Sequence, residues 1–436
     1  MRDQLADYSA TELSVMMATR KCSSEEILIS CLDRIRRLEP VVKAFVDLDE
    51  QGAIEQARLC DKAPRRGPLH GIPVAIKDTV DVARMRCTWG TPIHASRMPD
   101  SDAAVVHRLR QAGAIIVGTT TTTEYAIARA GLTTNPHNPA HTPGGSSSGS
   151  GAVVAAGMVP LSVATQSVGS IIRPSTFCGV FGLKPTLGAI STIGVMPLSP
   201  RLDHVGPMSR SVEDIELACS VMFEPGSSKV VTSPFGKNLP TGTNVLRIVG
   251  PLSQRIELPT ATALDRARAA LQEAGFDVVD HELPQRFAGL VECYEAIIFT
   301  DLARRHVRDR ELHANMMSER MLQIFDVGLA TSQAAYDAAV AEAAYFRDYL
   351  SDIVKQDTVV LSPATDGYAP LMSDKTGEQK LQALWTVVGF PSLATPCGKL
   401  DGLPIGVQLV SAPGREDLCL SAGRIVETKF GSHDLP

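Results

Sequence analysis

The chain has 436 residues, 44% of them hydrophobic and 21% charged, a composition typical of a globular protein with room for a large core. A formal net charge of −6 and the lack of a Lys/Arg run give no electrostatic reason to expect nucleic acid or a membrane surface as partner. Nine scattered cysteines without a CxxC spacing predict reduced thiols, and the N-terminus lacks the apolar core of a signal peptide. We therefore expect a cytoplasmic protein that acts on a small molecule.

The N-terminal half alternates predicted helices with short buried strands. Two capping-box patterns predict helices after Ser9 and after Ser23. Further helices are predicted over residues 51–62, 102–112 and 151–158, and strands over residues 73–76, 115–119 and 160–165. This alternation indicates an α/β fold.

The C-terminal half repeats the α/β pattern around a long helical region. Residues 225–242 are polar and rich in Gly, Ser and Pro, which predicts a surface linker, and residues 290–355 are predicted to be mainly helical and to line a substrate pocket. Other predicted helices cover residues 211–222, 260–274 and 416–429, and predicted strands cover residues 246–249, 277–280, 359–361 and the sequences WTVVGFPSLATPCG and LPIGVQLVSAP. We expect residues 1–436 to form a single domain.

The stretch from Thr142 to Arg173, TPGGSSSGSGAVVAAGMVPLSVATQSVGSIIR, is the best candidate for a reactive site. Ser146 and Ser170 each follow a glycine and lie on either side of an apolar segment, and residues 130–172 include no Asp, Glu, Lys or Arg. Such a segment belongs inside the molecule, where hydroxyl groups need hydrogen-bond partners. Its serines therefore serve either structure or catalysis.

Several alternatives for this stretch are weaker. A flexible Gly/Ser linker would not join two apolar segments, and a GxSxG nucleophile elbow at Ser147 would need a strand directly before it, where the sequence has a turn. No GxxxxGK[ST] arrangement is present to hold a phosphate. His137 and His141, which lie just before this stretch, have the spacing of a helical zinc pair, but Pro136 and Pro139 make a regular helix there implausible.

Lys77 can act as the base that a serine nucleophile needs. A lone Lys-Asp pair after a strand is most often a surface ion pair, but burial at the end of an apolar strand would lower the pKa of this amine and leave it neutral. A second serine can relay a proton because a hydroxyl both donates and accepts. Lys77, Ser146 and Ser170 can thus work together.

At these positions the sequence resembles the amidase signature family. The matching segments are GIPVAIKD around Lys77, TPGGSSSGS around Ser146, Gly169-Ser170, RPSTFCGVFGLKPT, LDHVGPMSRSVED and GLPIGVQLV, in the family's order. The resemblance implies the amidase signature fold, a large mixed sheet covered by helices on both faces, and no cofactor or metal. It also implies a triad in which Ser170 attacks, Ser146, preceded by a cis peptide bond, shuttles the proton, and Lys77 is the base.

The resemblance also implies how the substrate is held. The oxyanion hole would be formed by the backbone N–H groups of Ser167, Val168, Gly169 and Ser170. The chain departs from the family's usual DTGGS here, because Gln166 replaces the Asp and Val168 replaces a Gly, a change expected to narrow the approach. Further candidates for contacts with the substrate are Gly145, Ser147, Gln166, Arg129 and Arg173.

Arg173 lies three residues after the predicted nucleophile, as in malonamidase-like members that hold a substrate carboxylate. A planar guanidinium suits a carboxylate, but a structural role, with hydrogen bonds to loop carbonyls, is an equal alternative. The sequence therefore predicts an amidohydrolase for a small carboxamide, malonamate-like or carbamoyl-like, with a homodimer compatible with this picture. The alternative function is the A subunit of a glutamyl-tRNA amidotransferase, which is disfavoured by QSVGSIIRP in place of SDTGGSIRQP and by the absence of an evident docking extension.

Overall fold

A computed structural model describes residues 2–226, 238–254, 256–431 and 435. Eleven strands lie within these ranges: β1 (Phe45–Leu48), β2 (Pro73–Lys77), β3 (Ile115–Thr120), β4 (Leu161–Gln166), β5 (Phe181–Lys184), β6 (His204–Ser209), β7 (Asn244–Val249), β8 (Val278–Glu282), β9 (Thr358–Pro363), β10 (Ser392–Leu400) and β11 (Leu403–Ser411). They form one mixed sheet in the order β1-β3-β2-β4-β6-β5-β10-β11-β9-β7-β8. β2 pairs in parallel with β3 and β4, whereas β4 pairs antiparallel with β6.

Fourteen α-helices lie in the same ranges: α1 (Ala10–Ala18), α2 (Ser24–Val42), α3 (Glu50–Lys62), α4 (Ala104–Gln111), α5 (Ser148–Ala155), α6 (Ile172–Cys178), α7 (Val212–Met222), α8 (Leu258–Glu273), α9 (Leu290–Arg305), α10 (Val307–His313), α11 (Glu319–Ala330), α12 (Gln333–Ile353), α13 (Lys380–Val387) and α14 (Glu416–Phe430). Over the described ranges, none of these helices has the length and apolar character needed to cross a lipid bilayer.

The helices cover both faces of the sheet. Alternate residues of a strand point to opposite faces, and β2 shows this directly. Val74 and Ile76 belong to a hydrophobic cluster that includes Leu109 of α4, whereas Ala75 belongs to another cluster that includes Ala152 of α5. The predicted α/β fold with a large mixed sheet between helices is confirmed.

Local signals in the sequence located most elements to within a few residues. Ser9 and Ser23 each form the predicted capping box, with the side-chain hydroxyl accepting from the backbone N–H three residues later. α2 extends to Val42, and β1 begins three residues later, at Phe45. The helical region resolves into α9 to α12, and α12 starts after the N-cap Ser332.

One prediction was wrong. The sequence WTVVG was expected to be part of a strand, but Trp385 and Val387 lie in α13. Every residue of α13 after Lys380 is buried, so this helix has no polar face and no helical periodicity to detect. Most of the predicted linker over residues 225–242 lies outside the described residues, and the single-domain organisation stays a prediction.

Candidate active site

Parallel pairing of β2 with β4 brings the predicted catalytic segments to one edge of the sheet. Val74 pairs with Leu161 and Ile76 with Val163, so both strands end at the same edge. Lys77 is the last residue of β2, and the turn after β4 leads to Ser170. Neighbouring parallel strands therefore hold two segments that are far apart in the sequence.

The Lys77 amine lies in a fully buried position behind Ser146. Its Nζ is 2.8 Å from Ser146 Oγ and 2.8 Å from Thr165 Oγ1, and Lys77 is 0% exposed. Burial holds the pKa of this amine well below its ordinary value of 10.5, because the charged form loses its hydration; the charges of Asp203 and Asp78 oppose that effect only in part. A neutral amine in this position can accept a proton from the serine hydroxyl.

Ser146 and Ser170 face the same cavity, which has a volume of about 1140 Å³. The Gly145–Ser146 peptide bond is cis, as the family resemblance implies. Ser170 lies in the turn between β4 and α6 and is 7% exposed, whereas Ser146 is 3% exposed. Ser146 therefore lies between the Lys77 amine and the cavity that Ser170 lines. A proton relay towards a nucleophile at Ser170 requires this arrangement.

Gln166 holds the turn that carries Ser170. Its Oε1 accepts hydrogen bonds from the N–H groups of Ile171 (2.7 Å) and Ile172 (3.0 Å). Its Nε2 donates to Thr386 Oγ1 (2.9 Å), and the Thr386 hydroxyl donates to the carbonyl of Val168 (2.7 Å). These contacts favour a structural role for Gln166 over a contact with the substrate.

Three backbone N–H groups of this turn point to no acceptor in the described part of the chain. No acceptor among the described residues pairs with the N–H groups of Val168, Gly169 and Ser170. Gly169 has no room for a side chain, since a Cβ would lie 2.5 Å from Gln382 Oε1. Val168 is 4% exposed and packs in the hydrophobic cluster that contains Trp385, and the expected narrowing of the approach stays a prediction.

The guanidinium of Arg173 binds loop carbonyls. Its Nη2 donates to Gly145 O (2.7 Å) and Thr376 Oγ1 (3.0 Å), and its Nη1 donates to Gly377 O (3.1 Å) and Glu378 O (3.2 Å). Arg173 lines the cavity but is 3% exposed, and burial lowers its pKa to about 10. Of the two alternatives left by the sequence, these contacts favour the structural one.

The other predicted substrate contacts differ in their positions. Ser147 is fully buried and its hydroxyl donates to the Thr165 carbonyl (3.1 Å), which indicates a structural role. Gly145 lies so close to Thr376 that a Cβ on this glycine would be 2.8 Å from Thr376 Cγ2. Arg129 is exposed and lines the cavity, so it remains available to a ligand.

His137 and His141 do not converge on a common point. His137 Nε2 lies 2.9 Å from the Cys178 carbonyl oxygen, and His141 Nδ1 lies 2.6 Å from the Ala369 carbonyl oxygen. Within the described ranges, no three His, Cys, Asp or Glu side chains are grouped so that they could hold a metal ion.

Sequence reasoning missed three residues of this site: Thr165, Thr386 and Asp203. Asp203 lies in the quoted segment LDHVGPMSRSVED, so the resemblance contained a signal for it. Thr386 lies in the helix that was expected to be a strand, and nothing in its local sequence relates it to Ser170. Thr165 could have been found only from the pairing of β4 with β2.

Comparison with known proteins finds relatives over nearly the whole chain. A family model described as amidase matches residues 26–420. The A subunit of the glutamyl-tRNA(Gln) amidotransferase of Fusobacterium nucleatum is 30% identical over 100% of this chain and 99% of its own. A protein from a vestigial complex that reveals the origins of an s-triazine catabolic enzyme is 28% identical (TM-score 0.89; 97% and 98% coverage). The peptide amidase of Stenotrophomonas maltophilia is also 28% identical (TM-score 0.84; 98% of both chains).

Proposed function

The chain belongs to the amidase family and is an amide-cleaving hydrolase, and we propose that Ser170 attacks a small carboxamide while Ser146 relays the proton to Lys77. The observation that carries this proposal is the 2.8 Å contact between Lys77 Nζ and Ser146 Oγ, in a fully buried position beside the cavity that Ser170 lines. A serine hydroxyl is a weak nucleophile at its free pKa, and a neutral base nearby supplies the activation it needs.

The proposed reaction has two stages. Lys77 takes the proton of Ser146 as Ser146 takes that of Ser170, and the Ser170 oxygen adds to the amide carbonyl. The N–H groups of residues 168–170 stabilise the oxyanion of the tetrahedral intermediate. Its collapse breaks the C–N bond, and the proton returns through Ser146 to the departing ammonia or amine. Water then attacks the acyl-enzyme by the same relay and releases the carboxylic acid.

Substitutions of the three residues test this mechanism. Ser170→Ala removes the nucleophile and Lys77→Ala removes the base, so we expect each to lower kcat by about 1,000-fold or more, while Ser146→Ala leaves a small residual rate. Release of ammonia from a panel of amides measures the effect. Ser148→Ala is the matched control, because this hydroxyl in the same loop donates to the Gly144 carbonyl and not to the relay. Hydrolysis retained by Ser170→Ala would contradict the mechanism.

A more specific hypothesis about the substrate is that the amide carries a carboxylate. Arg173 was the first candidate to bind it, but four hydrogen bonds to loop residues already occupy its terminal nitrogens. We therefore assign Arg173 to the positioning of the Gly145 carbonyl and of residues 376–378. Arg129, exposed at the cavity wall, is the better candidate for a substrate carboxylate.

Paired arginine variants distinguish these roles. Because Arg173 supports the loop for every substrate, Arg173→Gln should lower kcat by about 10-fold or more for carboxylated and neutral amides alike. Arg129→Gln should instead raise KM about 10-fold for carboxylated amides only, since it removes one charged contact. Steady-state kinetics with matched pairs of amides provides the measurement. If Arg173→Gln raised KM for carboxylated amides alone, Arg173 would be the carboxylate ligand.

A second candidate function is that of an amidotransferase A subunit. The curated relatives support it over a free-standing amidase, because those from Fusobacterium nucleatum, Symbiobacterium thermophilum and Chloroflexus aurantiacus are all named as the A subunit of glutamyl-tRNA(Gln) amidotransferase. Both functions use the same amide hydrolysis and differ in the amide and in the fate of the ammonia. Assays of the purified chain separate them: a free-standing amidase turns over small amides alone, whereas a component of the amidotransferase hydrolyses glutamine efficiently only with its partner subunits.

The proposal includes a cytoplasmic location and a single domain. All nine cysteines are free thiols, and eight of them are buried, which supports a reducing compartment. A homodimer stays a prediction.

A further inference from the structure

Asp203, the residue just before β6, faces the turn of the proposed oxyanion hole. Gln166 of β4 pairs with His204 of β6 in antiparallel register, so the next residues, Ser167 and Asp203, lie opposite each other. Ser167 Oγ donates to Asp203 Oδ1 at 2.5 Å. The other carboxylate oxygen accepts from the backbone N–H of Leu198 (2.9 Å) and of Ser199 (3.0 Å).

We propose that Asp203 is a positioning residue for amide hydrolysis, which fixes the turn over residues 167–170 through its hydrogen bond with the Ser167 hydroxyl. This inference rests on the proposed function, in which the N–H groups of that turn stabilise the oxyanion. The turn is held on its other side by the Thr386 hydroxyl, which donates to the Val168 carbonyl. Two side chains from separate elements therefore restrain the same short segment.

The cost of placing a carboxylate here supports a specific role. Burial raises the pKa of Asp203 to about 6, although hydrogen bonds from Ser167, Ser199 and Leu198 favour the ionised form. A neutral acceptor would bind the Ser167 hydroxyl at a lower desolvation cost. Only a carboxylate offers one oxygen to Ser167 and a second oxygen to the two N–H groups of the 198–199 turn, so Asp203 joins two segments rigidly.

A residue that fixes oxyanion donors acts mainly on the transition state. The donors must lie where the oxyanion forms, and a small displacement of the turn weakens their contact with the charged intermediate more than with the neutral amide. Loss of the Asp203 contact is therefore expected to lower kcat while KM changes little.

A double-mutant cycle tests the inference. We expect Ser167→Ala to lower kcat about 10-fold and Asp203→Asn to lower it by at least as much, each with KM changed by less than about threefold. Because Ser167 is inferred to act only through its hydrogen bond with Asp203, the double variant should be no slower than Asp203→Asn alone. Ser167→Thr keeps the hydroxyl and should restore most of the rate.

The matched control is Ser199→Ala. Ser199 lies in the same turn and offers Asp203 its backbone N–H, while its hydroxyl donates to Asp301 Oδ2, so the variant keeps the Asp203 contacts and should keep kcat within about twofold. The inference would be overturned if the kcat losses of Ser167→Ala and Asp203→Asn multiplied in the double variant. It would also be overturned if the two substitutions changed KM alone. If Asp203→Asn does not fold, the comparison of Ser167→Ala with Ser167→Thr decides.

The proposed function is tested separately in the same samples. Covalent labelling of Ser170 by a fluorophosphonate reports the nucleophile, and wild-type amide hydrolysis reports the reaction. If wild-type activity depends on Ser170 but the kcat losses of Ser167→Ala and Asp203→Asn are independent, the role of Asp203 is overturned and the proposed function stands. A wild-type chain that neither labels at Ser170 nor hydrolyses amides would overturn both.

Discussion

The burial of one lysine amine is the constraint on which the rest of the site depends. An ammonium ion cannot accept a proton, and Lys77 is the group placed against the Ser146 hydroxyl, so the proposed proton relay works only if burial keeps this amine neutral. The sheet provides that burial, because β2 lies between β3 and β4 and ends beneath the loop that carries Ser146. Thr165 gives the amine a second partner without adding a charge.

The remaining polar side chains hold segments in place around that amine. Gln166 and Thr386 restrain one side of the turn over residues 167–170. On the other side of this turn, Asp203 accepts a hydrogen bond from the Ser167 hydroxyl. Arg173 joins the loop before Ser146 to the segment that covers the cavity. These groups come from β4, α13, the residue before β6 and α6, so side chains from distant parts of the chain restrain the site.

The sequence predicted the catalytic segments better than their supports. Lys77, Ser146 and Ser170 follow local punctuation by Gly and Pro, and their order along the chain matched a family pattern, so their convergence could be expected from the sequence alone. Thr386 could not be found in this way, because its buried helix lacks periodicity and its partner Val168 is 218 residues away in the sequence. For Arg173 the sequence left a structural role and a carboxylate-binding role as equal alternatives. It could not choose between them, since the four acceptors of Arg173 include three backbone carbonyls, which no side-chain pattern specifies.

The most direct test of the central claim is the pH dependence of covalent labelling of Ser170 by a fluorophosphonate, which reports activation of the nucleophile for any substrate. A buried amine with a lowered pKa gains its neutral form early as the pH rises. The labelling rate should therefore rise through a single ionisation and level off well before the ordinary lysine value of 10.5, and Lys77→Met should abolish the rise. A rate that keeps rising through that value, or a profile unchanged in Lys77→Met, would contradict the account.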